Sequence, residues 1–353
     1  MAATTNEMAK KPRVILGTMT FGPDPSTGAR ITSLDTYNEI LDHFQSQGYS
    51  EIDTARCYVG GQQEAFTRAA RWKERGLKLA TKWYPYNAGD ETHGAHKAER
   101  VEKELNTSLS ELGTDSVDIF YLHRADRTTP FQEPLRKCNE MYKQGKFKQL
   151  GLSNYAAFEV AEIVMLCKAN EWVQPTIYQV MYNAISRSIE SELISACRRY
   201  GLDIVVYNPI AGGLFSSKYS IETIPTEGRF SNVDGLVGDT YRKKYFNDAN
   251  FKALEIVEPV AKKYGLTLLE VAFRWLRHHS KLNMEGNDGI VIGMSSLKQL
   301  EQNLKDLEKG ALPQEVVEAL DRAWLVTMPT SAGYVHGELE YEYDTRKALR
   351  SLS

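Results

Sequence analysis

Val117-Asp118-Ile119-Phe120-Tyr121-Leu122-His123 is a short run of β-branched and aromatic side chains that reads as a strand. Just before it, Val101, Leu105, Leu109 and Leu112 share one face at helical spacing. The same alternation continues in both directions. Toward the N-terminus lie the runs Val14–Met19, Ser50–Thr54 and Leu77–Lys82; toward the C-terminus lie Gln149–Ser153, Thr176–Val180, Asp203–Tyr207 and Gly289–Met294. Tyr37, Ile40, Leu41 and Phe44, and again Val160, Ile163, Val164 and Cys167, make further apolar helical faces. Gly48, Gly76, Gly113, Gly201 and Gly265 stand where helix ends are expected. Eight strands alternating with helices predict an α/β fold with parallel pairing and right-handed crossovers. Of the two main parallel solutions, an open doubly wound sheet and a closed barrel, a count of eight favours the (β/α)8 TIM barrel. No Gly-x-Gly-x-x-Gly follows any strand, so the dinucleotide fingerprint of the open fold is missing.

The chain has 353 residues, more than the roughly 250 typical of this barrel. The excess has two homes. One is the long loop expected after strand 7, Asn208 to Asn247, rich in Gly, Ser, Lys and Arg. The other is the tail after Gly310, with one helical stretch (Val316, Val317, Leu320, Trp324) and then irregular polar sequence. The expectation is a single domain over 1–353, with the barrel at about 12–310 and a C-terminal helical and irregular extension at 311–353.

A formal net charge of -3 argues against a general nucleic-acid binder, which needs a basic surplus. No apolar run approaches the roughly 20 residues of a membrane span, and Met1 to Glu7 lacks the parts of a signal peptide. These readings place the protein in the cytoplasm, without membrane or nucleic-acid partners. Cys57, Cys138, Cys167 and Cys197 form no Cys-x-x-Cys pair, and no metal site is indicated.

In such barrels the active site sits at the C-terminal ends of the strands. Strand two ends near Asp53, with Tyr58 just beyond; strand three ends at Lys82 and strand four at His123. Taken singly, each has a plain alternative: a cap, a packed ring, a solvated cation, a core histidine. Converging on one mouth, they read as a device for giving a proton to an oxygen. Free Tyr, with a pKa of about 10, holds its proton too tightly at neutral pH. A neighbouring Lys82 ammonium is expected to lower that value, Asp53 to hold the Lys, and His123 to hydrogen-bond a carbonyl oxygen. Reducing that carbonyl also needs a hydride, which no side chain supplies, so a nicotinamide cofactor is implied. Trp83 and Tyr84 offer either an aromatic wall or simple packing.

These residues resemble those of the aldo-keto reductases over almost the whole chain. The motifs are Ile52-Asp53-Thr54-Ala55-Arg56-Cys57-Tyr58, Thr81-Lys82, Leu122-His123, Gly151-Leu152-Ser153-Asn154-Tyr155 and the run from Gly293-Met294-Ser295-Ser296 to Gln302-Asn303. The resemblance implies the same barrel, NADPH/NADP+ as cofactor, a small carbonyl substrate, and a catalytic tetrad of Asp53, Tyr58, Lys82 and His123. It also implies that Ser153, Asn154 and Gln179 hold the carboxamide of the nicotinamide. Asn208, Pro209, Ala211, Gly213 and Lys218 would cross the pyrophosphate, with Arg229 as a further phosphate contact. Gly293, Ser295, Ser296, Gln299, Gln302 and Asn303 would meet the adenosine end; the two serines stand at an expected helix N-terminus suited to a 2′-phosphate.

The wording is most similar to the aflatoxin-aldehyde and succinic-semialdehyde reductase branch, typically dimeric, which makes a homodimer an expectation. Where that branch carries an Arg for a substrate carboxylate, this chain reads Gly333-Tyr334-Val335-His336, followed by acidic residues from Glu338 to Asp344. Those carboxylates are expected to repel an acid substrate. The same family fold also serves as an NADP(H)-binding regulatory subunit of potassium channels. The short polar start, Met1 to Lys11, lacks a basic or apolar docking extension, so the enzyme is the reading carried forward.

Overall fold

A computed structural model of the chain describes residues 11–85, 93–226, 228–231 and 235–350. Eight parallel strands close into a barrel in sequence order, β1 pairing back with β8. They are β1 (Arg13–Gly17), β2 (Glu51–Asp53), β3 (Lys78–Trp83), β4 (Val117–Leu122), β5 (Phe147–Ser153), β6 (Pro175–Met181), β7 (Asp203–Tyr207) and β8 (Gly289–Ile292). All eight lie where the sequence placed them, within two residues at each end.

Around the barrel run α1 (Leu34–Ser46), α2 (Gln63–Ala69), α3 (Ala98–Leu112), α4 (Gln132–Lys143), α5 (Ala157–Ala169) and α6 (Leu193–Tyr200). Beyond β7 follow α7 (Gly235–Tyr245), α8 (Asp248–Lys263) and α9 (Leu268–His278), and beyond β8 α10 (Leu297–Glu308), α11 (Gln314–Thr327) and α12 (Thr345–Arg350). The helical faces read from spacing are the buried ones: Tyr37, Ile40, Leu41 and Phe44 of α1 and Val101, Leu105, Leu109 and Leu112 of α3 all sit in the core. Gly113 and Gly201 cap α3 and α6 in left-handed backbone, which lets the chain turn back into the next strand.

Two segments hold more order than expected. The loop after β7 contains α7, because Tyr241 and Tyr245, four residues apart, share one face and join an aromatic cluster around the fully buried Phe230. The tail carries α12 beyond its irregular stretch. Met1 to Lys10, most of the N-terminal stretch weighed above, lies outside the described residues. Within them, no helix is long and apolar enough to cross a membrane.

The inside of the barrel is filled rather than open. Ile15, Ala80, Ile119, Tyr121, Ile177, Val205 and Val291 form its packed centre. The Tyr121 ring lies so close over Gly151 that a Cβ there would come within 2.3 Å of it. A cavity of about 460 Å3 opens at the N-terminal mouth. Four of its lining charges pair with one another, Arg13 with Glu51 and Lys148 with Asp118.

Candidate active site

The strand ends bring the four expected ionisable groups to the C-terminal mouth. Asp53 closes β2, Lys82 sits in β3 beside Tyr121 of β4, and His123 follows β4 directly. Lys82 is fully buried and ion-paired to Asp53. Its ammonium also donates to the Thr54 carbonyl at 2.6 Å and to the Tyr58 hydroxyl at 3.3 Å. Gln179 donates to the second Asp53 oxygen at 2.8 Å, so that carboxylate is held from both sides. The His123 ring stands edge-on to Tyr58, with 6.1 Å between centroids.

Tyr58 owes its place to an unusual turn. Val59, Gly60 and Gly61 all take positive φ, 51°, 60° and 85°. For β-branched Val59 this conformation is strained and persists only because its surroundings enforce it. Gly22 provides the seat: a Cβ there would lie 2.5 Å from a Val59 methyl. Arg56 ties the turn down by donating to the Gly61 carbonyl at 2.9 Å and pairing with buried Glu64.

Electrostatics assigns the protons. Burial, and after it the Asp53 charge, raises the Tyr58 pKa well above its ordinary value. This reverses the sequence expectation that Lys82 would lower it. The reason is geometric: Lys82 directs its charge at Asp53 and the Thr54 carbonyl, both closer to it than the phenol. Burial also drives the His123 pKa well down, reinforced by Lys82. The imidazole is therefore neutral, and its buried Nδ1 has no hydrogen-bond partner. Tyr58 keeps a proton to give, while His123 has only a neutral N–H to offer.

The residues assigned to the carboxamide also gather here. Ser153 of β5 and Gln179 of β6 are register partners. Asn154 follows at φ 63°, donating to the His123 carbonyl at 2.9 Å and to Ser153 Oγ at 2.8 Å. After β7, Asn208 (φ 58°) and buried Ala211 (φ 51°) turn the chain sharply past Pro209. Gly213, at φ 103°, continues the turn, and Lys218 beyond it is exposed. Arg229 stacks on Tyr241 at 5.2 Å, and Tyr241 hydrogen-bonds Asn208 at 3.0 Å, so this loop and α7 form one assembly.

At the far end, Gly293 follows β8 and Ser296 caps α10 by accepting from Gln299 N–H. Ser295 bonds the Gln299 side chain. Gln302 reaches along α10 to Asp306, and Asn303 is buried with its amide on the Gly293 carbonyl. Asn303 alone of these is buried; Ser295, Gln299 and Gln302 are exposed.

Several site groups had no decisive sequence signal. Tyr207 donates to Asn154 Oδ1 at 2.8 Å; as the last residue of β7 it could have been found by the strand-end rule. Tyr84 stands edge-on to His123 at 5.0 Å, whereas Trp83 is buried and bonded to the Ala95 carbonyl. Tyr84 is thus the wall and Trp83 the packing. Arg124 stacks on Tyr84 and donates to its hydroxyl at 3.2 Å. His336, from the tail, is lowered to about 3 by burial and by the Lys244 and Arg124 charges. Its charged neighbours are thus cationic; Glu342 of the acidic stretch turns to His93, 3.1 Å away.

A closed parallel barrel with such a mouth defines a class of α/β enzyme. Within it, the chain belongs to the aldo/keto reductase family, whose model matches residues 13–325. It is 44% identical to an aldo-keto reductase of Pseudocercospora fijiensis over 84% of this chain and 99% of that one. It is 40% identical to mouse aflatoxin B1 aldehyde reductase member 2, over 89% of this chain and 85% of the relative. For human aflatoxin B1 aldehyde reductase member 4 the identity is 38%, over 89% and 94%. The protein is accordingly an oxidoreductase acting on carbonyl groups of small molecules.

Proposed function

We propose that the protein reduces aldehydes, and by the same chemistry ketones, to alcohols at the expense of NADPH, with Tyr58 as proton donor. The observation that carries the reading is the chain of contacts from Asp53 through Lys82 to the Tyr58 hydroxyl, closed by neutral His123.

The residues suit the cofactor's carboxamide group by group. Ser153 Oγ accepts from Asn154, leaving its own O–H to donate. Asn154 Oδ1 accepts from Tyr207 and keeps a second lone pair. Gln179 spends its amide N–H on Asp53, leaving Oε1 to accept. One donor and two acceptors match a primary carboxamide, which offers one carbonyl and two N–H groups. Exposed Lys218 and Ser295, with Arg229 and the α10 N-terminus, would meet the phosphates.

When bound, the reduced nicotinamide supplies a hydride to the carbonyl carbon. The remaining work falls to the side chains. His123 holds the carbonyl oxygen by its N–H; Tyr58 transfers its hydroxyl proton to that oxygen as the alcohol forms; Lys82 stabilises the phenolate left behind. Asp53 keeps Lys82 in place, and Gln179 and Asn154 anchor the nicotinamide end. The relatives named for aflatoxin B1 aldehyde support an aldehyde substrate. A single-domain chain, working as a cytoplasmic homodimer, completes the proposal.

Loss of NADPH absorbance in the presence of 4-nitrobenzaldehyde tests it. Steady turnover, with a lower KM for NADPH than for NADH, is the expected result. Tight cofactor binding without turnover would leave the regulatory-subunit reading in its place.

A further inference from the structure

The tail after α11 comes back over the barrel mouth and is anchored at one buried ion pair. Arg127 and Glu159 are joined by two parallel bonds of 2.7 and 2.8 Å, and both side chains are at least 95% buried. Such a fork geometry is specific as well as strong. Both residues also hold the tail. Arg127 Nη1 donates to the His336 carbonyl at 2.9 Å, the Arg127 carbonyl accepts from Glu342 N–H at 3.0 Å, and Tyr341 donates to Glu159 at 2.6 Å. Gly337, at φ 80°, passes the two arginines where a side chain would stand within 3.2 Å of Arg124 and 3.4 Å of Arg127.

The clamp brings His336 to Asn154. The His336 N–H donates to the Asn154 carbonyl at 3.1 Å, and its Nε2 lies 3.5 Å from the Tyr207 hydroxyl. That hydroxyl has one proton and gives it to Asn154 Oδ1. The contact with His336 therefore needs the imidazole as donor, with its proton on Nε2. Held this way, Tyr207 cannot turn its proton elsewhere, and the Asn154 amide keeps its orientation.

We propose that His336 is a positioning residue for the nicotinamide end of the cofactor site, acting through Tyr207 on Asn154 and placed there by the Arg127–Glu159 clamp. This rests on the reading that Asn154 meets the carboxamide. It gives the tail a role in cofactor binding.

Calorimetric dissociation constants of two ligands test it: NADPH, and adenosine 2′,5′-bisphosphate, which has the adenosine end alone. His336→Phe should weaken NADPH about three- to tenfold, the worth of one neutral hydrogen bond, and leave the bisphosphate unchanged. His336→Gln, which restores a donor, should recover most of that loss. Tyr207→Phe should act like His336→Phe, and the double variant should lose no more than either single one, since one chain of bonds is cut. Arg127→Lys, which loses the fork, should show the same NADPH-selective loss. Unchanged NADPH binding in His336→Phe, equal weakening of both ligands, or additive losses in the double variant would overturn the proposal. A wild-type protein that binds neither ligand would instead overturn the cofactor reading itself, and this inference with it.

Discussion

Replacing Gly22 with Ala should damage catalysis from outside the ionisable cluster. Gly22 does not need left-handed backbone, so an Ala is admissible there except for one contact. Its Cβ would lie 2.5 Å from a Val59 methyl, where carbon atoms settle at about 3.5 Å or more. Val59 must therefore move by roughly 1 Å. It cannot relax within its own turn, because it is already held at φ 51° and followed by two further positive-φ residues. The displacement passes to Tyr58, the adjacent residue, whose hydroxyl stands 3.3 Å from Lys82. A misplacement of about 1 Å can lower turnover by about 100-fold. Overpacking itself should cost about 1–3 kcal/mol of stability. Steady-state kinetics with 4-nitrobenzaldehyde, NADPH binding by fluorescence titration and thermal melts read the three effects separately. The expected pattern is a fall in kcat of at least tenfold, intact NADPH binding and a modestly lower Tm. Val59→Ala in the same chain should recover part of the turnover, since it removes the clashing methyls. Wild-type kcat in Gly22→Ala would refute the claim that this turn positions Tyr58.

Other perturbations follow from the same geometry. Lys82→Met should abolish turnover and also destabilise the fold by roughly 3–5 kcal/mol, because Asp53 is left buried and unpaired; Asp53→Asn in the same chain should return much of the stability, read by urea unfolding, and none of the activity. His336 is depressed to about 3 by its burial, against about 6.5 in the unfolded chain. The stability linked to it is thus present above about pH 6.5 and lost as pH falls toward 3, so His336→Gln should flatten the acid limb of a Tm–pH profile. Lys218→Met should raise the KM for NADPH more than for NADH, and equal effects would count against a phosphate role. Lys244 and Arg124 beside His336 predict that a carboxylate on a benzaldehyde ring is tolerated, with Lys244→Gln raising its KM relative to the neutral aldehyde.

The fold was legible because the barrel strands are short runs rich in β-branched and other buried apolar residues, and helices such as α1 and α3 bury an apolar stripe. Both patterns are local. The meeting of Asp53, Tyr58, Lys82 and His123 at one mouth was legible for the same reason: strand ends are local features, and the barrel brings consecutive ends together. The anchoring groups were not. Arg127 and Glu159 are 32 positions apart, and nothing in either neighbourhood announces the other. His336 looked like the place where an Arg was missing; only the closed tail shows it bonded to Asn154 and flanked by Lys244 and Arg124. Of the acidic residues beyond it, Glu342 pairs with His93 and Asp344 accepts from Lys347 N–H, contacts that the sequence does not announce. The direction of the Tyr58 shift was misjudged because a sequence shows which charges are near and hides their distances. Lys82 lies closer to the Thr54 carbonyl than to the phenol, and burial does the rest.

Single-turnover reduction by Tyr58→Phe tests the central claim most directly. The variant keeps the ring and loses only the hydroxyl, and with it the proton and the contact with Lys82. Mixed with NADPH and 4-nitrobenzaldehyde in a stopped-flow instrument, it should bind NADPH as the wild type does and oxidise it at least 100-fold more slowly. Wild-type rates of NADPH oxidation in this variant would show that the proton comes from elsewhere, and the assignment of Tyr58 would be wrong.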